Sequence, residues 1–205
     1  MPNDTELVER WRSGDDRAGE RLFERHYACL SRFFYNKVDA EQSPDLVQRT
    51  FLRCVEKFPN KREETTFKNF LFGIARMILL EHFRRYQRHD KRFDPMSHSI
   101  VDVQPTPSSV VHRQREIQVM LQALRRIPIE LQVVLELYFW ENLKAREIAQ
   151  VLGVPEGTAR SRIRRARQLF HIEIEAVTAD PDLRASTIAG VDAWVGQVRA
   201  HLANR

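Results

Sequence analysis

An all-α fold built from two small helical modules is what this sequence predicts, and three observations carry it. Apolar residues recur at helical spacing through most of the chain, as in Leu7, Val8 and Trp11 and again in Leu22, Phe23, Tyr27 and Leu30. Only 7 of 205 residues are glycine, and no segment alternates apolar with polar as a strand would. The helical period lapses across FDPMSHSIVDVQPTPSSVVH, residues 93–112, which holds three of the nine prolines and reads as a flexible, extended linker.

The first module, residues 1–92, should hold four helices. Ser-Gly-Asp-Asp at 13–16 separates the first two. A third opens near Ser43, Pro44 and Asp45, with a short polar side chain to cap it, Pro early and an acid favoured by the helix dipole, and it runs to about Phe58. The polar loop PNKREETT then leads into a longer helix from Phe67 to about Arg88. The second module, residues 113–175, is interrupted at Ile127-Pro128 and at Leu152-Gly153-Val154-Pro155. Asp180-Pro181 marks a break within a C-terminal extension, residues 176–205, where Val191, Trp194, Val195, Val198 and Leu202 space out an amphipathic helix.

Composition narrows the function. Hydrophobic residues at 42% and charged residues at 30% suit a globular chain, and a formal net charge of +5 favours a polyanionic partner without naming one. No apolar run reaches the roughly 20 residues that cross a bilayer, and the start MPNDTELVERW lacks a signal-peptide core, so a cytoplasmic protein is expected. Cys29 and Cys54 lie in apolar-periodic segments without metal-ligand spacing and read as buried thiols. His82 and His89 have no cysteine or carboxylate partner at catalytic or metal-binding spacing, and no phosphate-binding glycine loop or nucleophile arrangement is present. No catalytic residue, metal or cofactor is expected, and the chain does not read as an enzyme.

The sharpest signal is KAREIAQVLGVPEGTARSRIRRARQLF. Ala145, Ile148, Ala149 and Leu152 form one apolar face on a helix that ends at Gly153, a favoured C-terminal cap, and Val154-Pro155 redirects the chain into a second helix beginning at Glu156. On that helix Ala159, Ile163, Ala166 and Phe170 cluster on one side, leaving Arg160, Ser161, Arg164, Arg165 and Gln168 on the other. Such a helix-turn-helix places a basic face against DNA. Arginine pairs with guanine edges or holds phosphates, and Thr158 and Ser161 are short enough for close backbone approach. One basic face alone would read as a solvated surface; the capped helix and tight turn before it decide for DNA.

The fourth helix reads as a single-strand binder. Leu71, Ala75, Ile78, His82 and Tyr86 form a core stripe, while Asn69, Arg76, Leu80, Arg84, Gln87 and Arg88 project from other arcs, and Arg84, Arg85, Arg88, Lys91 and Arg92 could track a phosphate backbone. Lys61 and Arg62, with Phe67, could border a pocket for an unstacked base. Taken singly, Phe67, Phe70 and Phe72 each read first as core aromatics. On the third helix Asp45, Gln48, Arg49, Leu52 and Arg53 make a mixed face that suits protein docking or simple solvation.

VLGVPEGTARSRIRRAR resembles the recognition element of region 4 of the extracytoplasmic-function sigma factors, group IV of the sigma-70 family. The likeness extends back through LRRIPIELQVVLELYFWENLKAREIA, and into the first module through ELVERWRSGDDRAGERLFERHY, DLVQRTFLRCVEKF and TFKNFLFGIARMILLEHFRRYQR, so that it spans about residues 5–175. Pro44, Phe70 and Met77 depart from the family pattern, standing where an acid, a tryptophan and an asparagine are usual. The resemblance implies that residues 1–92 are sigma region 2 and 113–175 sigma region 4. It implies core RNA polymerase docking through Asp45, Gln48 and Phe51, and recognition of the duplex minus-thirty-five element through Thr158, Arg160, Ser161, Arg164 and Arg165. It further implies reading of the melted minus-ten strand through Lys61, Arg62, Phe67, Asn69, Arg76, Leu80, Arg84 and Arg88. The implied partners are core polymerase and promoter DNA, both duplex and melted, with room for an anti-sigma factor, and the implied setting is the nucleoid. Two rivals stay open on sequence: a helix-turn-helix regulator that never joins polymerase, and an adaptor that binds polymerase or a sigma factor without reading DNA.

Overall fold

The computed structural model describes residues 2–58, 65–86, 94–99 and 113–189. Within them every regular element is a helix: α1 (Asp4–Arg12), α2 (Asp16–Tyr35), α3 (Ser43–Lys57), α4 (Phe67–Tyr86), α5 (Arg113–Arg126), α6 (Ile129–Phe139), α7 (Ala145–Leu152), α8 (Glu156–Val177) and α9 (Pro181–Ala189). The all-α expectation holds. Breaks fall at the expected Gly14, Pro128, Gly153 and Pro181.

Local chemistry fixes the helix ends. Asn3 and Glu6 close a reciprocal capping box on α1, with side-chain to backbone bonds of 2.9 and 3.1 Å. Asp15 caps α2 by accepting from the Ala18 N–H and also receives Arg10 at 2.6 Å, tying the turn to the end of α1. The opening of α3 differs from expectation. Ser43 lies inside the first turn with Pro44 after it, and the preceding Gln42 makes no side-chain cap. Pro44 supplies the preset φ, and its missing N–H is one that a first turn leaves unpaired anyway.

In the first module α2 packs against α1 and α3, and α3 against α4. The centre is aromatic: the Trp11 indole stacks on Phe58 with centroids 5.3 Å apart and meets the edges of Phe23 and Phe67. Gly19 makes room for it, since a Cβ there would stand 2.8 Å from Trp11 Nε1. Cys29 and Cys54 are buried free thiols, as expected, and burial pushes both up to about 12.

The second module packs α5, α6 and α7 against α8, and the start of the extension, α9, lies on α5 and α8. Asp180 caps α9 through the N–H groups of Asp182 and Leu183. The stripe from Val191 to Leu202 lies outside the described residues. Part of the expected linker is a docked turn: the N–H groups of Ile129 and Glu130 donate to the carbonyls of His98 and Pro95, at 2.8 and 3.0 Å. Orphan donors of the α6 N-terminus are thereby satisfied.

Helix α6 determines how the modules meet. Every residue from Ile129 to Leu137 is buried, and a helix buried around its whole circumference needs cover on all sides. Its own module packs on it through α5, α7 and α8, and the first module meets it through Lys37 and Arg76. Glu136, buried in α6, takes an ion pair from Lys37, which is fully buried just beyond α2 and also donates to the Phe33 carbonyl. Burial pushes the Glu136 carboxyl up to about 7 against the opposing pull of Lys37, and burial likewise lowers Lys37. Beside this pair, Glu141 receives Lys68 at 2.8 Å and Arg32 at 3.6 Å, and Arg125 donates to the Asn36 side chain at 2.9 Å.

Removing one member of such a pair strands the other charge away from water. Lys37→Met is expected to cost about 3–5 kcal/mol in urea denaturation, with most of the loss recovered by adding Glu136→Leu. Glu136 has a folded-state value raised above its ordinary 4.5. Its proton uptake therefore favours the folded state as pH falls through about 7 towards 4.5, and the deficit of the single variant should shrink over that window. A deficit independent of pH, or a double variant no better than the single, would refute this account.

Candidate nucleic-acid interface

The helix-turn-helix is built as its sequence reads. Ile148, Ala149 and Leu152 of α7 face Ala159, Ile163, Ala166 and Phe170 of α8, all buried. Glu147 reaches back to accept the Lys144 N–H at 2.8 Å, closing the start of α7. Gly153 ends it in the left-handed region at φ 67°, ψ 38°, a conformation that costs other residues a Cβ clash with the carbonyl. Pro155 then leads straight into α8.

Arg160, Ser161, Arg164, Arg165 and Gln168 stand exposed on the outer face of α8, and Thr158 is half-buried at its start. Ser161 donates its hydroxyl hydrogen to the Thr158 carbonyl at 2.9 Å, so its lone pairs are what it offers outward. Arg160 is held at 2.5 Å by Glu156, one turn earlier. A groove of about 320 Å³ runs along this face between Arg160, Ile163, Arg164, Arg167, Gln168 and His171. Arg167 and His171 were not selected from sequence; extending the i, i+3, i+4, i+7 series from Arg160 and Arg164 by one turn reaches both. Arg162 is the arginine that turns inward, to Glu130 at 3.0 Å.

The face expected to read a single strand is placed differently. Lys61, Arg62 and Arg88 lie outside the described residues. Phe67 belongs to the core, within ring contact of His26 and Phe58, so the structure does not set it at the rim of an open pocket. Leu80 is also core. Asn69 is only 2% exposed, and its side-chain N–H donates to Gln150 of α7 at 2.8 Å. Arg76 is half-buried, gripping Glu130 of α6 at 2.6 Å. Arg84 and Arg85 are exposed. The reason is burial on two sides: α4 packs on α3 with one face and meets α7 with another, where a Cβ on Gly73 would lie 3.7 Å from the Val151 carbonyl.

On α3, Asp45 and Gln48 are exposed, and Phe51 is partly buried with its ring 4.8 Å from Phe23. Leu52, Val55 and the neighbouring Tyr27 are large apolar side chains about half exposed, and they extend this patch. Tyr27, one of the helically spaced apolar residues of α2, sits at the edge, stacked on Phe51 at 6.4 Å. Arg53 and Arg49 serve the fold, since Glu81 of α4 takes a two-pronged bond from Arg53 at 2.8 and 2.9 Å with Arg49 beside it. Among the described residues no group of His, Cys, Asp or Glu is arranged to hold a metal ion, and no helix is long and apolar enough to cross a membrane.

Residues 117–170, from α5 to the middle of α8, match the family model described as sigma-70, region 4. The chain is 27% identical over 182 residues to the ECF RNA polymerase sigma-E factor of Haemophilus influenzae, covering 84% of this chain and 95% of the relative. It is 29% identical over 178 residues to the RNA polymerase sigma-H factor of Pseudomonas aeruginosa, covering 80% and 90%. Its fold is similar to that of CnrH, solved in complex with the cytosolic domain of CnrY, with a TM-score of 0.63 at 20% identity over 85% of this chain and 99% of that one. It is also similar to the sigma factor RpoE of Bartonella quintana, solved with the anti-sigma factor NepR, with a TM-score of 0.59 at 20% identity over 76% and 96%.

The chain thus carries a sigma-70 region 4 at residues 117–170, and its likeness to RNA polymerase sigma factors continues through the helices before it. Among those relatives, the likeness is to an extracytoplasmic-function sigma factor.

The geometry of the turn can be tested by itself. A Cβ on Gly153 would meet nothing within 4 Å, so Gly153→Ala carries backbone strain alone. It is expected to cost about 1–2 kcal/mol in thermal denaturation, with Gly153→Asn losing less because asparagine tolerates the left-handed region. Equal losses for the two variants would contradict this.

Proposed function

We propose that α8 reads the minus-thirty-five duplex of a promoter, that α4 and the loop before it bind the melted minus-ten strand, and that the exposed face of α3 docks on core RNA polymerase. The observation that carries this reading is the polarity of α8. One face is locked into the core, and the opposite face presents Arg160, Arg164 and Arg165, spaced along a helix that the Gly153 turn aims outward. Arg167 joins that face as a further phosphate or base contact. For α3, the support is that Asp45 and Gln48 stand exposed beside Leu52, Val55 and Tyr27, a half-apolar patch of the kind that protein docking covers.

In this reading residues 1–92 form the polymerase-docking and strand-reading domain and 93–112 the linker. Residues 113–175 form the duplex-reading domain, and 176–205 an appended helical segment that begins on it. The chain works at the nucleoid, in the cytoplasm, with no chemistry of its own. An anti-sigma factor is a fitting partner, because the similar folds of CnrH and RpoE were solved with CnrY and NepR bound. Polymerase would set the separation of the two DNA-reading elements, turning the second contact into an intramolecular one.

Charge reversal at Arg164 or Arg165 should weaken promoter occupancy by about 1–3 kcal/mol while leaving polymerase capture intact. The wider test is a permanganate footprint of the minus-ten thymines with core polymerase alone, this protein alone, and both together. Strand opening is expected only in the combined sample. Tight, specific duplex binding by the isolated chain with no polymerase-dependent opening would instead establish a helix-turn-helix regulator.

A further inference from the structure

We propose that this chain holds itself in a closed state, in which acidic and amide side chains of the second module occupy the strand-reading groups of α4, and that Glu130 is the latch. The inference rests on the reading of α4 as the strand-binding helix. It goes beyond that reading by assigning an intrachain competitor to the same groups.

The argument begins with a single carboxylate. Glu130 is 2% exposed and receives Arg76 of α4 and Arg162 of α8, at 2.6 and 3.0 Å. One buried carboxylate therefore joins the helix expected to meet the melted strand to the helix expected to meet the duplex. It offers Arg76 two acceptor oxygens, with bonds to both of them, much as a phosphate would. One further contact repeats the pattern: Gln150 of α7 takes the Asn69 amide that would otherwise face a base edge. The ion pairs that cross the interface share one polarity. Arg32, Lys37, Lys68 and Arg76 come from the first module, and Glu130, Glu136 and Glu141 from the second.

The closed arrangement acts unequally on the two DNA-reading faces. Arg160, Arg164 and Arg165 stay exposed, whereas Asn69 is covered and Arg76 half-covered. A closed chain keeps its duplex face available and its strand face occupied. Strand binding thus requires the modules to part, and any partner that holds them apart, polymerase included, raises the population able to bind. Loss of Glu130 leaves the Arg76 guanidinium half-buried without its counter-charge, and parting lets water return to it.

The test uses the full chain, with Glu130→Gln and Gln150→Ala. Small-angle scattering measures the radius of gyration, and fluorescence anisotropy measures binding to a labelled mixed-sequence single strand and to a labelled duplex. Glu130→Gln should expand the chain and tighten single-strand binding by about tenfold, with duplex binding changed less than about twofold. Gln150→Ala, which alters no charge, should shift both readouts in the same direction by less. Equal gains for strand and duplex would mean that lost negative charge acts at long range, and would overturn the latch. A strand gain without expansion, or unchanged values in folded variants, would overturn it too. If circular dichroism finds Glu130→Gln unfolded, Gln150→Ala decides alone. The wild-type polymerase footprint reports separately on α4: expansion without any strand gain, together with a failed footprint, places the error in that underlying reading.

Discussion

The structure depends on the burial of α6. Nine consecutive residues, Ile129–Leu137, are removed from water, and no helix can achieve that against a single neighbour. Its own bundle packs on it through α5, α7 and α8, and the first module reaches it through Lys37 and Arg76. That requirement draws two separately patterned helical units together. Because Glu130 and Glu136 lie within the buried run, it also dictates that the first module bring cations to the contact. Lys37 and Arg76 meet this need, and ion pairs in such surroundings specify alignment more than they add stability. A shifted register would leave a charge unpaired, at a cost that apolar contacts alone would not impose.

The same constraint explains the uneven fate of the arginines. A long basic side chain on a helix has no preferred role by itself; what opposes it decides. Arg53 and Arg49 find Glu81 on the adjacent helix and fasten α3 to α4. Arg162 and Arg76 find Glu130 and link the modules. Arg164, Arg165 and Arg167 have solvent before them, so their charge stays available to a polyanion, where it acts both at contact and through the longer-range field. A closely spaced basic run thus divides within one turn into a residue paired inside the fold and residues left exposed.

Likeness to sigma factors and a closed arrangement are compatible because the contacts between the modules are polar to a large degree. A wholly apolar interface of this extent would resist opening, whereas carboxylate–guanidinium and amide contacts can be exchanged for phosphates, base edges or water at little net cost. The packing of α4 on α7 makes closure the resting state. The polar part makes it exchangeable.

By itself the sequence determined the helices, their breaks and the exposed basic side of α8. Each of these follows from local rules: the apolar period of Ala159, Ile163, Ala166 and Phe170, the left-handed preference of Gly153, and the start preset by Pro155. The exposed Asp45 and Gln48 were legible for the same reason, being the polar arc of an amphipathic helix. Tertiary structure alone decided the rest. Periodicity cannot say which of two apolar arcs on α4 faces its own bundle and which a second module, so the burial of Leu80 and the engagement of Asn69 and Arg76 were not readable. Nor could spacing pair Lys37 with Glu136, 99 residues apart. Burial and charge pairing depend on what arrives from elsewhere in the chain, and only the folded arrangement brings those partners together.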